Sequence, residues 1–173
     1  DLSELGTYNF SSSTLLAGDS NTTNDTALTT VVNSSCLTST NTTEQGIGPD
    51  AGTVTTSTIF IGPEFSVQDV NVTINLNHTW DADLTITLTS PSSDIVMLSD
   101  GNGSSGDDYI DTVFDDDASS GIASGSAPFT GLFQPQGSLS DFNGFQSSGI
   151  WTLTITDNAN QDGGTFNSWG LEL

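Results

Sequence analysis

The chain has 173 residues, which is long enough for one well-buried domain and short for two. It carries 22 acidic residues, no lysine and no arginine, so its formal net charge at pH 7 is −22. Because binding to phosphate groups requires cationic side chains, this charge excludes nucleic acid and anionic membrane surfaces as partners. Hydrophobic residues make up 33% of the chain, which is lean but compatible with a small all-β domain rich in threonine and serine.

The carboxylates have no basic side chain to pair with except His78. Self-repulsion of so much charge opposes compaction, so bound metal or ambient salt must offset part of it. An acidic surface that simply keeps the protein soluble in salty water is the alternative, and both can hold. Cys36 is the only cysteine, which excludes an intrachain disulfide. The acidity, the polar strand faces and the absence of lysine favour an extracellular or cell-surface setting.

Residues 1–47 differ from the rest in being dense in Ser, Thr and Asn, with few apolar residues. Two strand-like segments are predicted, at Gly6–Leu16 and Ala27–Val32. A two-stranded piece is marginal alone, so we expect an N-terminal arm that adds strands to the main domain, ends an upstream β domain, or pairs with another subunit. A disordered linker is the alternative that this composition leaves open.

A turn cluster, Gly48–Gly52, predicts the boundary of the main domain, which we place at residues 48–173. The strongest strand signal is the stretch Asp69–Pro91, where Val, Ile and Leu alternate with Asn and Thr on either side of a polar corner. This period of two puts aliphatic side chains on one face of each strand. Further strands are predicted at Thr53–Ile61, Asp94–Ser99, Tyr109–Phe114, Ile150–Thr156 and Phe166–Leu173, with Asp94–Ser99 fully buried.

Between residues 118 and 149 the chain consists largely of Gly, Ser, Pro and Phe without a clear period. A long irregular segment inside a compact domain needs anchors, and the Phe and Leu side chains are expected to pin it to the domain. No helical pattern of useful length occurs. The predicted architecture is therefore an all-β antiparallel sandwich with an extra N-terminal strand-like arm.

From residue 48 onwards the sequence resembles the P domain of subtilisin-like proprotein convertases and related bacterial secreted and surface proteins. The resemblance rests on many short motifs that occur in the family's order: Asp69-Val70-Asn71-Val72, His78-Thr79-Trp80-x-x-Asp83-Leu84, Leu88-x-Ser90-Pro91, Phe114-Asp115-Asp116-x-Ala118, Pro128-Phe129-x-Gly131, Leu139-x-x-Phe142-x-Gly144, Gly149-Ile150-Trp151-x-Leu153, Asp157, Asp162-x-Gly164-x-Phe166 and Trp169-x-Leu171. It implies a jelly-roll-like sandwich and a non-catalytic accessory module, with calcium bound in some members. Residues 1–47 lie outside it.

Calcium is the predicted cofactor. It is a hard cation that takes about six to eight oxygen ligands, which loops of Asp, Asn and Gly supply. The alternative is that these aspartates only form turns and cap backbone groups. A zinc site is excluded because the chain has too few His and Cys residues. The candidate ligands are Asp81, Asp83, Asp100, Asp107, Asp115, Asp116, Asp157 and Asp162.

No catalytic residue is predicted. His78 is the only side chain that could act as a general base near neutral pH, and the family motif implies a structural, hydrogen-bonded role for it. Paired carboxylates are also compatible with glycoside hydrolysis, which the resemblance does not support. Trp151 and Trp169 are expected in the core, whereas Trp80 in the polar corner is the one tryptophan expected to be exposed.

The leading functional hypothesis is a non-catalytic, calcium-stabilised structural or adhesive surface module that binds identical subunits, forming a filament by donating its N-terminal strands. The alternative is the C-terminal accessory domain of a secreted serine protease or metalloprotease, with the protease domain in the same precursor as its partner. A weaker third hypothesis is carbohydrate binding through Trp80 and the acidic loops.

Overall fold

The computed structural model describes residues 6–14, 21, 23, 25–33 and 36–173. Leu15 and Leu16, the end of the first predicted strand, lie outside these residues. The strands are β1 Gly6–Ser13, β2 Thr26–Asn33, β3 Thr38–Asn41, β4 Gln45–Ile47, β5 Thr53–Ile61, β6 Asn71–His78, β7 Leu84–Thr89, β8 Ile95–Asp100, β9 Tyr109–Phe114, β10 Phe129–Phe133, β11 Gly149–Asp157 and β12 Gly164–Glu172. Short 3-10 turns occur at Asp81–Asp83, Ile122–Ser124 and Leu139–Phe142.

The chain divides into two compact units, Asp1–Cys36 and Leu37–Leu173. In the first unit, β1 and β2 form a two-stranded antiparallel sheet, with Tyr8 opposite Val31 and Phe10 opposite Thr29. Directly opposed residues share a face, so these four side chains lie on one side of the pair and Asn9, Ser11 and Leu28 on the other. This hairpin corresponds to the two predicted N-terminal strands.

The second unit contains a four-stranded antiparallel sheet in the order β5-β11-β7-β8. Burial alternates along β5, β7 and β11, as expected for strands with one face in the core. In β7 the aliphatic residues point inwards and the threonines outwards, whereas β5 also buries Thr55 and Ser57 and exposes Val54 and Phe60. The register places Thr58 opposite Thr152 and Thr152 opposite Thr89, so matching rows of residues cross the sheet. The predicted alternation of these strands is confirmed.

The other sheet follows the order β10-β9-β6-β12-β3, with β4 also paired to β12. All its pairs are antiparallel except β9 with β10, which run parallel. Strand β10 lies within the stretch predicted to be irregular. Its Phe129 is fully buried, as are Leu139 and Phe142 of that stretch, so the expected anchoring is confirmed at these positions. Leu132 is 58% exposed and anchors nothing.

One hydrophobic core fills the space between the two sheets, with residues such as Trp151 and Leu88 from one sheet and Phe114 and Trp169 from the other. Each fully buried aliphatic or aromatic side chain contributes about 1.5–3 kcal/mol relative to an exposed one. The indole N–H of Trp169 donates to Ser57 Oγ across the sandwich (3.0 Å), and that of Trp151 donates to the Ser147 carbonyl (2.9 Å). The all-β sandwich and the core placement of both tryptophans are confirmed.

Two features differ from the sequence expectations. Strands β3 and β4 precede the expected boundary at Gly48 but pair with β12, so they lie in the second unit. Their short, polar sequences carry almost no apolar period from which to predict them. Strand β8 is not fully buried, since Ile95 is 66% exposed and only its alternate residues face the core. In the part of the chain described, no helix is long and apolar enough to cross a membrane.

Candidate functional site: an acidic corner around two buried carboxylates

Most of the predicted ligands lie at one end of the sandwich, in the corner between β6 and β7. Strand β6 ends at His78, and the 3-10 turn Asp81–Asp83 leads directly into β7. The Asp83 N–H closes the turn by donating to the Trp80 carbonyl (3.0 Å). Short polar residues favour such turns because their side chains can satisfy backbone groups that the strands no longer pair.

His78 is buried at this corner. Its backbone N–H donates to Asp108 Oδ1 (3.0 Å), and its ring Nδ1 lies 3.1 Å from the Trp80 carbonyl oxygen. The ring Nε2 lies 3.6 Å from Asp157 Oδ2, and both side chains are completely buried. That distance is too long for a hydrogen bond, and neither atom has another partner. The ring is inaccessible to a substrate, in keeping with the structural role that the family motif implied.

Asp157 ends β11 with one carboxylate oxygen satisfied and one not. Its Oδ1 accepts the Ala159 N–H (3.1 Å), and its backbone carbonyl accepts the Gly52 N–H (2.6 Å). Oδ2 faces Gly48, which has a positive φ of 67° and packs so closely that a Cβ there would overlap this oxygen. Gly48 is therefore required both for its backbone conformation and for its contact with Asp157.

Asp83 and Asp162 form a carboxyl pair beside Asp157. Desolvation raises the pKa of Asp83, as do the neighbouring charges of Asp162 and Asp157 and a hydrogen bond between the Asp83 and Asp162 side chains, while His78 lowers it. Thr79 Oγ1 also lies 3.4 Å from Asp162 Oδ1. Like charges held this close favour a shared proton or a bound cation.

Asp81 is completely buried beneath the loop 101–108. Its N–H donates to the Gly106 carbonyl (2.9 Å), and its Oδ1 accepts the Asp108 N–H (3.0 Å). Its Oδ2 has no hydrogen-bond partner. The pKa of Asp81 is raised to about 7, mainly by burial and also by the charges of Asp108 and Asp107, against the lowering effect of the hydrogen bond from the Asp108 backbone.

The remaining predicted ligands make ordinary polar contacts. Asp100 Oδ1 accepts the Thr85 hydroxyl (2.7 Å), and Asp107 is exposed. Asp115 and Asp116 lie at the opposite end of β9 from the corner. Asp115 Oδ1 accepts the Asp117 N–H (2.7 Å) and forms a turn.

Asp116 stabilises the 3-10 turn Leu139–Phe142. Its Oδ1 accepts the Leu139 N–H (3.0 Å), and its Oδ2 accepts the Ser140 N–H (2.8 Å) and the Ser138 hydroxyl (2.9 Å). Burial opposes ionisation of this carboxyl, but these hydrogen bonds outweigh it and lower the pKa of Asp116. Both oxygens are used for capping, the role considered from the sequence as the alternative to metal binding.

Nowhere in residues 36–173 or the described parts of the arm do three acidic or histidine side chains converge closely enough to hold a metal ion by themselves. The corner nevertheless offers oxygen donors of the type that a hard cation takes, including the unpaired oxygens of Asp81 and Asp157. Backbone carbonyls and water would have to complete any coordination shell. Oxygen donors of this kind are compatible with calcium.

From the sequence, Asp108 is only one of the possible oxygen donors for calcium in the acidic loop 100–108. This residue accepts the His78 N–H through its side chain and donates its own N–H to Asp81, so it joins the two buried groups. It has a positive φ of 77°, a conformation that Asp tolerates better than most residues. Its position at the end of an Asp- and Gly-rich loop was the only signal in the sequence.

A surface groove of about 250 Å³ lies elsewhere, on the outer face of the six-stranded sheet around Gly170. It is lined by small polar residues such as Thr40, Thr73 and Asn75, with Glu172 at one end. Trp80, which is 44% exposed as predicted, is not among the lining residues. The groove therefore does not combine the residues of the carbohydrate-binding hypothesis.

Comparison with known proteins identifies a family and similar solved structures. The family model for the proprotein convertase P-domain matches residues 67–173. Two crystal structures of the Aeromonas sobria serine protease resemble the fold, one of them a complex with a chaperone. The structure of the complex has a TM-score of 0.51 and 20% sequence identity, and the match covers 80% of this chain. The structure of the protease alone has a TM-score of 0.50 and 19% sequence identity, and the match covers 82% of this chain. This chain spans 27% of the length of either protease chain, and no curated protein matches it significantly.

The close packing of Gly48 gives a test of the corner. We expect Gly48→Ala to lower the free energy of unfolding by about 3 kcal/mol or more, because it adds positive-φ strain and displaces Asp157. Gly52→Ala is the matched control, since φ is 84° there but a Cβ would meet nothing within 4 Å; only the backbone strain, about 1–2 kcal/mol, is expected. Urea unfolding of both variants measures the difference. Equal losses would show that Gly48 does not pack against Asp157.

Proposed function

This chain belongs to the proprotein convertase P-domain family, and from that premise we propose that it is a non-catalytic accessory module of a secreted, extracellular serine protease or metalloprotease. The observation that carries the proposal is the family match over the sandwich together with the burial of His78, which places the only imidazole of the chain out of reach of a substrate. The likeness to a region of a bacterial serine protease points the same way.

The coding sequence upstream of Asp1 tests this proposal directly. We expect it to encode a catalytic domain in the same reading frame, with the His, Asp and Ser of a subtilisin-like protease or the zinc-binding motif of a metalloprotease. Expression of that precursor with and without residues 37–173 should then show loss of secreted, folded protease in the truncated form. A signal peptide ending directly before Asp1 would refute the accessory role and favour a stand-alone module.

We also propose that calcium stabilises the acidic corner. An ionised carboxylate that is buried without a partner costs several kcal/mol, and His78, whose Nε2 lies 3.6 Å from Asp157 Oδ2, is the only basic side chain in the sequence. A cation bound at Asp81 or Asp157 would remove that cost. Any ligand that binds only the folded state also raises its stability by mass action.

Substitution of Asp81 separates cation binding from simple protonation. In chelator, the folded wild type should lose stability as pH rises from about 4 through about 7, because the pKa of Asp81 is higher in the folded state than in the unfolded state. Asp81→Asn cannot ionise, so above pH 7 it should be more stable than the wild type. Added calcium should raise the melting temperature of the wild type and leave Asp81→Asn nearly unchanged. Asp141→Asn, at an exposed carboxylate that is not among the candidate ligands, is the control and should respond to calcium like the wild type. Identical wild-type melting curves in chelator and in calcium would refute the site.

The N-terminal hairpin favours a second candidate function, assembly of identical subunits into an adhesive filament. Its described strands carry no charged residue in a chain of net charge −22. Phe10 and Val31 lie on one face and are 43% and 41% exposed, and Leu28, on the other face, is 79% exposed. An isolated two-stranded sheet is marginally stable in water, so contact with a neighbouring copy would stabilise it.

Matched charge insertions on the two hairpin faces test this assembly. We expect Phe10→Asp to abolish filaments seen by electron microscopy, because a carboxylate would be buried in the contact. Ser11→Asp adds the same charge on the opposite face and should leave filaments intact. Absence of filaments in the wild type, or equal effects of the two variants, would exclude assembly through the face that contains Phe10.

A further inference from the structure

Acceptor motifs for asparagine-linked glycans are more frequent in this chain than its composition predicts. The motif, called a sequon, is Asn-x-Ser/Thr with x other than Pro, and it is modified at the surface of secreted proteins. The chain has 13 asparagines and 51 serines and threonines, so about four sequons would arise by random placement. Eight asparagines begin a sequon: Asn9, Asn21, Asn24, Asn33, Asn41, Asn71, Asn77 and Asn102.

Four of these sequons lie in the sandwich unit, and the structure describes the side chains of all four asparagines. They are Asn41, Asn71, Asn77 and Asn102. A glycan is bulky and is attached to the amide nitrogen Nδ2, so this atom must face solvent in the folded protein. An amide nitrogen has two N–H donors, and the glycan replaces one of them. The hydrogen bonds of each amide therefore indicate which sequon is compatible with a glycan.

Two of the four amides hold parts of the sandwich together. Asn102 Nδ2 donates to both Ser99 Oγ (2.8 Å) and Gln136 Oε1 (2.9 Å), so neither of its N–H groups is available. Asn41 Nδ2 donates to the Thr58 carbonyl of β5 (2.9 Å), so a sugar on this nitrogen would collide with the four-stranded sheet. A glycan at either position would break these contacts.

The amide of Asn71 is partly enclosed. Its Nδ2 donates to Asp69 Oδ2 (3.2 Å), and its Oδ1 is buried. A glycan requires the whole amide group to stand clear of the surrounding surface. The Asn71 sequon therefore also fits a glycan poorly.

Asn77, near the end of β6, differs from the other three. Its side chain is exposed, and its Oδ1 accepts a hydrogen bond from Asn167 Nδ2 (2.8 Å). Its own Nδ2 donates to no group in the described part of the chain. The bond to Asn167 orients the planar amide and leaves the nitrogen on the side away from that partner. Asn77 thus combines the motif with an accessible amide nitrogen.

The surroundings of Asn77 leave room for a bulky group. The last residue of its sequon, Thr79, is also exposed, just beyond the end of β6. Thr165, directly opposite Asn77 on β12, is uncharged. Gly164 packs so closely on the Asn77 carbonyl that a Cβ there would overlap it, so the backbone of the acceptor is held in place. A group on Asn77 Nδ2 can project from the outer face of the six-stranded sheet without displacing paired strands.

We propose that Asn77 carries an N-linked glycan. The proposal rests on secretion, which is part of the proposed function, because the sequon is an acceptor in secreted proteins. A glycan is hydrophilic and solubilising. At Asn77 it would hydrate the sheet surface beside the acidic corner without a further carboxylate in a chain of net charge −22.

The transfer is a substitution at the anomeric carbon of the first sugar. Asn77 Nδ2 forms a bond to this carbon, and the bond between the carbon and a phosphate oxygen of a lipid-phosphate carrier breaks. The amide loses one proton to a basic group of the transferase, and the lipid phosphate leaves with the bonding electrons. The co-reactants are a lipid-phosphate-linked oligosaccharide and a glycosyltransferase of the producing cell, and nothing is oxidised or reduced.

Peptide mass spectrometry of the full chain, recovered from the medium or surface of the cells that naturally produce it, tests the proposal. We expect a glycan mass on the peptide that contains Asn77 and an unmodified peptide at Asn102. Thr79→Ala removes the sequon and keeps Asn77, so it should abolish the modification, whereas Thr79→Ser keeps the sequon and should retain it. Asn77→Gln also removes the acceptor and replaces Thr79→Ala if circular dichroism shows that this variant does not fold.

Three outcomes would overturn the proposal. One is a secreted chain with an unmodified Asn77. Another is a modification of the Asn77 peptide that persists in Thr79→Ala, which would show that it does not depend on the sequon. The last is equal occupancy at Asn77 and Asn102, which would show that the hydrogen bonds of the amides do not select the acceptor. A chain that stays inside the cell would instead refute the secretion on which both this proposal and the proposed function rest.

Discussion

Two carboxylates are buried at one end of a sandwich that has no lysine or arginine to neutralise them. Asp81 and Asp157 each have one oxygen satisfied by a backbone N–H and the other without a hydrogen bond, and that oxygen of Asp157 lies 3.6 Å from His78 Nε2. Burial of an unpaired charge is among the most costly arrangements in a protein. The structure at this end depends on that cost being removed by a proton, a cation or both. Gly48 and Gly103 pack directly against these two side chains, so there is little room for relaxation.

Most of the other acidic residues lie outside the paired strands; among the described residues Asp100, Asp111 and Glu172 are exceptions. The long strands of the four-stranded sheet present threonine outwards, and most carboxylates are in turns and loops, where solvent and salt screen them. Threonine satisfies strand propensity and solubility without adding charge. The fold can therefore carry a net charge of −22 without placing like charges opposite each other across its strand pairs.

Sequence reasoning predicted the fold well and the site incompletely. Alternation in β5, β6, β7 and β11 was clear because each strand has one face in the core, and the burial of Trp151 and Trp169 follows from the same pattern. Strands β3 and β4 were not separable from the arm, since three or four polar residues carry no period. Strand β10 was hidden among Gly, Ser and Pro, because only Phe129 of its five residues is buried and a register shift interrupts its pairing with β9.

The candidate ligands show why the site was harder to predict. Asp81 and Asp116 look alike in sequence, as carboxylates at the start of short turns. Asp116 receives two backbone N–H groups and a hydroxyl, whereas Asp81 receives one N–H and keeps an unpaired oxygen. The difference arises when the loop 101–108 closes over Asp81. No local pattern encodes that closure.

Asp108 connects Asp81 with the end of β6 through two hydrogen bonds. Its carboxylate accepts the backbone N–H of His78, the last residue of β6. Its own N–H donates to the carboxylate of Asp81, at the start of the turn that leads into β7. Strand β9 begins at the next residue and pairs with β6 in the six-stranded sheet, whereas β7 belongs to the other sheet. The corner thus connects the two layers of the sandwich through hydrogen bonds to carboxylates as well as through the apolar core. A proton or cation gained or lost at Asp81 changes the charge on that connection, so its effect extends to both sheets rather than to one loop.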